Sequence, residues 1–275
     1  MTDNRLKNKK VGFIGGGRMA EAIFSGVLQS GIVAAEDLYV ADINTPRLDQ
    51  VKEQYGCNVT ENAMDLVRTV DVVVLSVRPQ DAQGLVEKVG AELDSRCIPV
   101  ISIMGGVTIS QLEEMLHEAP VVRVMPNTPM TTRAGVAGIT LGSRVDDTVR
   151  DIAVALFEAV GITFVLPESL IDPLTGISGC GPAFCAIFIQ AMADGGVELG
   201  LSRNMAVQLA AQTLVGTGKM VLAGEHPEIL KDNVCSPAGG TIAGTHILES
   251  GALRGLVANA VVGAVERMQE VGKKS

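Results

Sequence analysis

A chain of 275 residues, 47% hydrophobic with no tryptophan and two tyrosines, must build its core from aliphatic side chains, and it is long enough for a nucleotide-binding domain plus a smaller partner. Lys and Arg number 22 against 31 Asp and Glu, a formal charge of −9 with neither sign gathered into a block, which argues against nucleic acid as a partner. Five widely spaced cysteines without a C-x-x-C pair, and only three histidines, read as reduced thiols and provide no metal site.

Taken from the beginning, residues 1–10 are polar and basic and lead straight into a strand, so they lack the apolar centre of a signal peptide. Further on, no apolar run of about 18 residues is free of charges or helix-breaking glycines. The expectation is a soluble, cytoplasmic protein that does not enter a membrane.

From Val11 onward short β-branched runs alternate with helical stretches, the pattern of a doubly wound parallel sheet. Strands are predicted at 11–14, 38–41, 72–77, 98–103 and 121–125, with weaker signals at 57–59, 136–141 and 163–166. Amphipathic helices lie between them, as at 19–29 and 82–93. Beyond Leu166 the strand signals cease, and Ala, Leu, Val and Met recur at helical spacing as far as Arg267. The fold class is therefore α/β: a Rossmann-like doubly wound sheet over residues 1–166, then an all-α domain over 167–275. Its helices at 182–199 and 205–222 are apolar on more than one face, which calls for cover from a second subunit; a tightly wrapped monomeric bundle is the alternative.

The first strand runs into Gly15-Gly16-Gly17-Arg18-Met19-Ala20, a G-x-G-x-x-A turn. Gly15 permits the turn, Gly17 lets the backbone approach a pyrophosphate, and Ala20 allows the helix to lie close on the sheet. Free N–H groups and the positive end of the helix dipole can then hold phosphates, although the same turn can be purely structural. Asp42 ends the second strand, where it can accept hydrogen bonds from the adenosine ribose, pointing to NAD; Arg47 can instead meet a 2′-phosphate, and Asp42 can equally be a cap or turn residue. The cofactor is thus NADPH or NADH. Ser76-Val77-Arg78-Pro79, Ser102-Ile103-Met104-Gly105 and Met125-Pro126-Asn127 end further strands at the edge where open α/β sheets bind ligands, with Asn127 placed for the nicotinamide end.

In the helical part, Ser236-Pro237-Ala238-Gly239-Gly240-Thr241 precedes a helix. Its glycines clear side chains away from the free N–H groups of the helix start, so the loop can bind a carboxylate through amides, with hydroxyls from Ser236 and Thr241; an elaborate helix cap is the other reading.

These motifs, together with Gly179-Cys180-Gly181-Pro182-Ala183, Ala193-Asp194-Gly195-Gly196-Val197 and Leu230-Lys231-Asp232, resemble the pyrroline-5-carboxylate reductase family over nearly the whole chain. The resemblance implies NAD(P)H-dependent reduction of a cyclic imine to proline, a helical domain that interlocks with that of a second subunit as a homodimer, and rings of such dimers. Carried over, it makes the amides of Gly240 and Thr241 donors to the substrate carboxylate, with Ser236 and Gly239 beside them and the Thr241 hydroxyl at the ring nitrogen as the catalytic contact. Its cofactor contacts fall on Gly15, Gly17, Arg18, Met19, Asn62, Val77, Pro79 and Asn127; Ala20 is added from the glycine turn, and Asp42, Ser76 and Gly105 from the strand ends. This sequence departs from the family at Arg18, where asparagine is frequent, at Arg78 in place of lysine, and at Cys180 in place of serine, whose hydrogen bond a thiol makes more weakly. The architecture also resembles the β-hydroxyacid dehydrogenases, but those place a catalytic lysine on a helix of the second domain, and no lysine occurs between Thr175 and Gly218 here. A non-catalytic nucleotide-binding module would have no use for the Ser236–Thr241 loop.

Overall fold

The computed structural model describes residues 6–272, so the reading of the N-terminal segment falls half outside it. β1 (Val11–Ile14) leads to α1 (Arg18–Ser30), β2 (Leu38–Ala41) to α2 (Thr45–Tyr55) and β3 (Asn58–Thr60) to α3 (Ala63–Thr69). β4 (Val72–Leu75) then leads to α4 (Pro79–Ser95) and β5 (Val100–Ser102) to α5 (Ile109–Met115). β6 (Val121–Met125), β7 (Gly135–Leu141), α6 (Asp147–Glu158), β8 (Gly161–Val165) and α7 (Ile171–Ser178) complete this part. The strands form one sheet in the order β3-β2-β1-β4-β5-β6-β7-β8.

Every predicted strand is present, with boundaries moved by a residue or two. The sheet is mixed, however, and not wholly parallel, because β7 pairs antiparallel with β6. The connection explains the reversal. A parallel neighbour needs a crossover of a dozen or more residues, whereas the short segment between Met125 and Gly135 holds only a 3₁₀ turn at Thr128–Thr132.

Burial accounts for the unbroken apolar strands. On β4, Val72 and Val74 enter the core on one face of the sheet with Phe13, Phe24 and Phe157, while Val73 and Leu75 enter the core on the other with Ile14, Leu66 and Leu93. A strand covered on both sides has no polar face to alternate with. Each side chain buried in this way contributes about 1.5–3 kcal/mol of transfer free energy.

The described chain divides into two compact units, one ending at Gly179 and the next beginning at Cys180. Residues 167–179 thus pack with the sheet: Ile171 is buried, and a Cβ on Gly138 would lie 3.0 Å from Leu174 and 3.1 Å from Ile171. The second unit comprises α8 (Gly181–Glu198), α9 (Arg203–Leu222), α10 (Pro227–Val234), α11 (Gly240–Ser250) and α12 (Leu253–Gly272). α8 and α9 pack through small residues: Ala193, Ala206 and Ala210 are buried, and a Cβ on Gly196 would come 3.3 Å from the Cβ of Ala206.

Little else in this unit is buried within the chain. α11 and α12 bury no residue at all, while Ile187, Leu222 and Ile247 are 68%, 75% and 71% exposed. By length and composition the stretch Glu168–Glu198, which contains an 18-residue window of mean hydropathy 1.4, is apolar enough to cross a membrane, which the sequence reading did not expect. The difference lies in the glycines Gly176, Gly179 and Gly181, which count as helix breakers in the sequence but lie between Asp172 and Asp194 in a run without charge.

Candidate active site

The sheet order sets β1 beside β4, with β2 and β5 outside them, so chain connections leave this point towards both ends of the sheet. Open α/β sheets bind their ligands at such a point, outside the carboxyl ends of the strands. Gly15 follows β1, Asp42 follows β2, Asn62 follows β3, Ser76 and Val77 follow β4, Gly105 lies beyond β5 and Asn127 follows β6. All the strand-end residues predicted for the cofactor are therefore brought to one edge.

The glycine turn is built as its residue types require. Gly15 has φ +101°, and a Cβ there would lie 2.6 Å from the carbonyl oxygen of Ser76, so both backbone conformation and space demand glycine. Ser76 pins the turn in return: its hydroxyl donates to the carbonyls of Ile14 (3.0 Å) and Gly15 (2.6 Å). Gly17 is the N-cap of α1 and has no side-chain cap, which leaves the N–H groups of the exposed Arg18, the half-buried Met19 and the buried Ala20 without an intrahelical acceptor. Among the described residues, nothing beyond its immediate chain neighbours comes within 4 Å of a Cβ placed on Gly17. Packing within the protein does not require glycine there; a diphosphate approaching the bare amides does, and the turn fits one.

At the end of β2, Asp42 accepts from the backbone N–H groups of Gly16 (2.7 Å) and Asn44 (2.9 Å). It is a turn residue in this sense, and each carboxylate oxygen keeps a lone pair for a further donor such as a ribose hydroxyl. Arg47, the alternative contact for a 2′-phosphate, lies over the glycine turn: its Nε donates to the carbonyl of Gly16 at 2.7 Å, and its Nη2 is 2.6 Å from Glu21 Oε2. Tyr55 donates to the other oxygen of Glu21 at 2.9 Å, and its ring meets Phe24 edge-on at 5.2 Å. Burial, and after it the Glu21 carboxylate, push the Tyr55 hydroxyl up to about 12, so it stays a donor throughout the neutral range. Sequence reasoning missed Glu21 and Tyr55. An acid in the first turn of a helix is ordinary, and nothing local connects it to α2.

Other strand-end side chains are engaged with the protein. Asn62 caps α3 by accepting from Met64 N (3.0 Å), and Pro79 opens α4. Asn127 is buried: its Nδ2 donates to Ser178 O (2.9 Å) and its Oδ1 accepts from Val136 N (2.8 Å), so it binds the end of β6 to β7 and α7. Val77 is half-buried, and Gly105 is exposed in open space.

In the second unit, Ser236 O accepts from Gly239 N at 3.0 Å across Pro237 and Ala238, and Ala238 has φ +56°. Proline followed by a left-handed residue is the type II turn pattern, here held by an alanine at a strain of about 1 kcal/mol. A Cβ on Gly239 would lie 2.3 Å from Ser236 Oγ, so glycine is what lets the Ser236 hydroxyl lie against the turn. Gly239 is the N-cap of α11 and again has no side-chain cap, leaving the amides of Gly240 and Thr241 bare, with Thr241 exposed. Arg254 holds the flanking helices in place by donating to Glu228 of α10 and to Glu249 of α11. Its guanidinium, followed by Lys231, draws the Glu228 carboxyl down to about 2. Cys180, at the N-cap of α8, makes no side-chain cap.

This fold and its glycine turn define a dinucleotide-binding protein with a Rossmann-like sheet followed by a helical unit. Residues 168–271 match the family model described as pyrroline-5-carboxylate reductase dimerisation, and residues 10–106 the one described as NADP oxidoreductase, coenzyme F420-dependent. A pyrroline-5-carboxylate reductase of Methanosarcina acetivorans is 42% identical over 98% of this chain and 100% of its own length. Among solved structures, a pyrroline-5-carboxylate reductase from Coxiella burnetii superposes with a TM-score of 0.90 at 34% identity, covering 95% of this chain and 98% of the other. The Plasmodium falciparum enzyme, solved with NADP bound, gives 0.83 at 34% identity over 96% and 98%. The chain belongs to the pyrroline-5-carboxylate reductase family.

Proposed function

We infer that this chain reduces the cyclic imine 1-pyrroline-5-carboxylate to L-proline with NADH or NADPH, the closing step of proline biosynthesis. The observation that carries the reading, beyond family membership, is the uncapped start of α11 behind the Ser236–Gly239 turn, a ready site for a small carboxylate.

The nicotinamide supplies the hydride for carbon, and the ring nitrogen can arrive already protonated, so no strong acid is required of the protein. What the chain contributes is orientation and electrostatics. The amides of Gly240 and Thr241, with Ser236 and Gly239 shaping the turn, bind the substrate carboxylate. The Thr241 hydroxyl accepts from the ring N–H and fixes the angle of the ring. The glycine turn of Gly15 and Gly17, with the amides of Arg18, Met19 and Ala20, takes the diphosphate. Asp42 serves the adenosine ribose, while Asn62, Ser76, Val77, Pro79, Gly105 and Asn127 shape the rest of the nucleotide cleft. Residues 1–166 form the nucleotide domain in this reading and 167–275 the dimerisation and substrate domain.

The exposed apolar helices support a homodimer, or a ring of such dimers, as the working form: a helix apolar on several faces and bare in one chain needs a second copy. That cover, rather than a bilayer, is also our reading of the apolar stretch Glu168–Glu198. The cysteines are free thiols, in keeping with work in the cytoplasm. A steady-state assay of nucleotide consumption with the imine tests the activity, and a folded enzyme that oxidises neither NADH nor NADPH with it overturns the reading. So does a crystal with nucleotide and proline in which the Ser236–Thr241 turn holds no carboxylate.

A further inference from the structure

The groups after β2 are unevenly charged. Three carboxylates gather there: Asp42 on the amides of Gly16 and Asn44, Glu61 accepting from Thr45 Oγ1 at 2.8 Å, and Glu21 on Arg47 at 2.6 Å. Against them stands Arg47, whose side chain is 21% exposed. A guanidinium recognises a phosphate best through two parallel N–H bonds from one edge. On Arg47 the edge formed by Nε and Nη2 is already committed: Nε donates to the carbonyl of Gly16, and Nη2, buried and without a hydrogen bond, lies 2.6 Å from Glu21 as an ion pair. Glu21 is itself held from behind by the Tyr55 hydroxyl. A 2′-phosphate could recruit that edge only by breaking a half-buried ion pair and leaving Glu21 facing a like charge, whereas a ribose with two hydroxyls asks for nothing but acceptors.

We infer that Glu21, by engaging Arg47 in an ion pair, sets the adenosine end of the cofactor site against a 2′-phosphate, so that NADH is the preferred nucleotide. The inference rests on the reading of the glycine turn as an NAD(P)H site and deepens it. Arg47 is then a clamp on that turn, and Glu21 is a positioning residue that reaches the nucleotide only through Arg47.

Calorimetric titration of the full chain with NADH and with NADPH tests this independently of imine reduction. The wild type is expected to bind NADH more tightly. Glu21→Gln should lower the ratio of the NADPH to the NADH dissociation constant by about three- to tenfold, since removing one charge near a phosphate at a partly exposed site has an effect of that size. Tyr55→Phe, which leaves the charge but frees the carboxylate, should move the ratio the same way by less. Adding Arg47→Ala to Glu21→Gln should return the ratio to within about twofold of the wild type, because the gain acts through Arg47. Tighter binding of NADPH by the wild type, or a ratio unmoved in both folded single variants, overturns the inference. If the wild type binds neither nucleotide, the underlying reading of the glycine turn fails, and this inference with it.

Discussion

Thr241 is exposed at the start of α11, next to two bare amides. Thr241→Ala should therefore lower turnover by about one to two powers of ten, about 1.4–2.7 kcal/mol of barrier, and leave the melting temperature near that of the parent. A folded variant turning over at the parent rate would remove Thr241 from the mechanism. Asp42 combines two duties, holding the amides of Gly16 and Asn44 and serving the ribose. Asp42→Ala is expected to weaken NADH more than NADPH, because the nucleotide with free ribose hydroxyls loses an acceptor while the phosphorylated one loses a repulsion. Equal loss for both in a binding titration would make the residue purely structural. Among the predicted residues, Gly15 was readable in full, since its turn imposes its own requirement. Asn127 was readable in place but not in use: the partners of its buried amide, Ser178 and Val136, come from other elements.

The helices and loops of the first unit are secured by side chains that accept several backbone N–H groups at once. Asp94, near the end of α4, accepts from His117 (3.1 Å), Glu118 (3.0 Å) and Ala119 (2.9 Å), and so closes the loop between α5 and β6. Burial pushes its carboxyl up, but the three amides, led by that of Ala119, outweigh burial and leave it below its ordinary value. A depressed carboxylate contributes stability above its unfolded pKa and loses it as pH falls through the folded one. Asp94→Ala should thus cost about 2 kcal/mol at pH 7, and the difference from wild type should shrink as pH falls below about 4. Urea unfolding at the two pH values measures it, and a difference that grows in acid would contradict the assignment. Such clamps were not predicted, because Asp94 and the loop it closes are joined only once β5 and β6 lie side by side.

At the scale of the molecule, the second unit buries almost nothing of its own: Leu209 and Val262 are each 54% exposed and Leu256 is 62% exposed. Apolar surface of that extent is stable in water only when covered, and each Leu so covered contributes about 1.5–3 kcal/mol. Light scattering on the eluting protein should give twice the chain mass or an even multiple of it. Ile187→Glu with Leu209→Glu should shift the mass to that of a single chain and abolish turnover; a wild-type monomer with full activity would contradict the proposed assembly.

Composition and periodicity by themselves determined the α/β class, the run of eight strands, the change to an all-helical second part, and the two glycine-bearing loops that leave helix starts bare. These are local properties: a β-branched run, a glycine at a left-handed position and an apolar helical face each carry their signal within a few residues. The tertiary structure alone decided that β7 reverses, that residues 167–179 pack with the sheet, and that Arg47 is bound to Glu21 rather than left free for a phosphate. Each of these depends on residues brought together from separate elements, and the energy of an ion pair or a strand pairing belongs to the partner as much as to the residue, so no single window of sequence contains it.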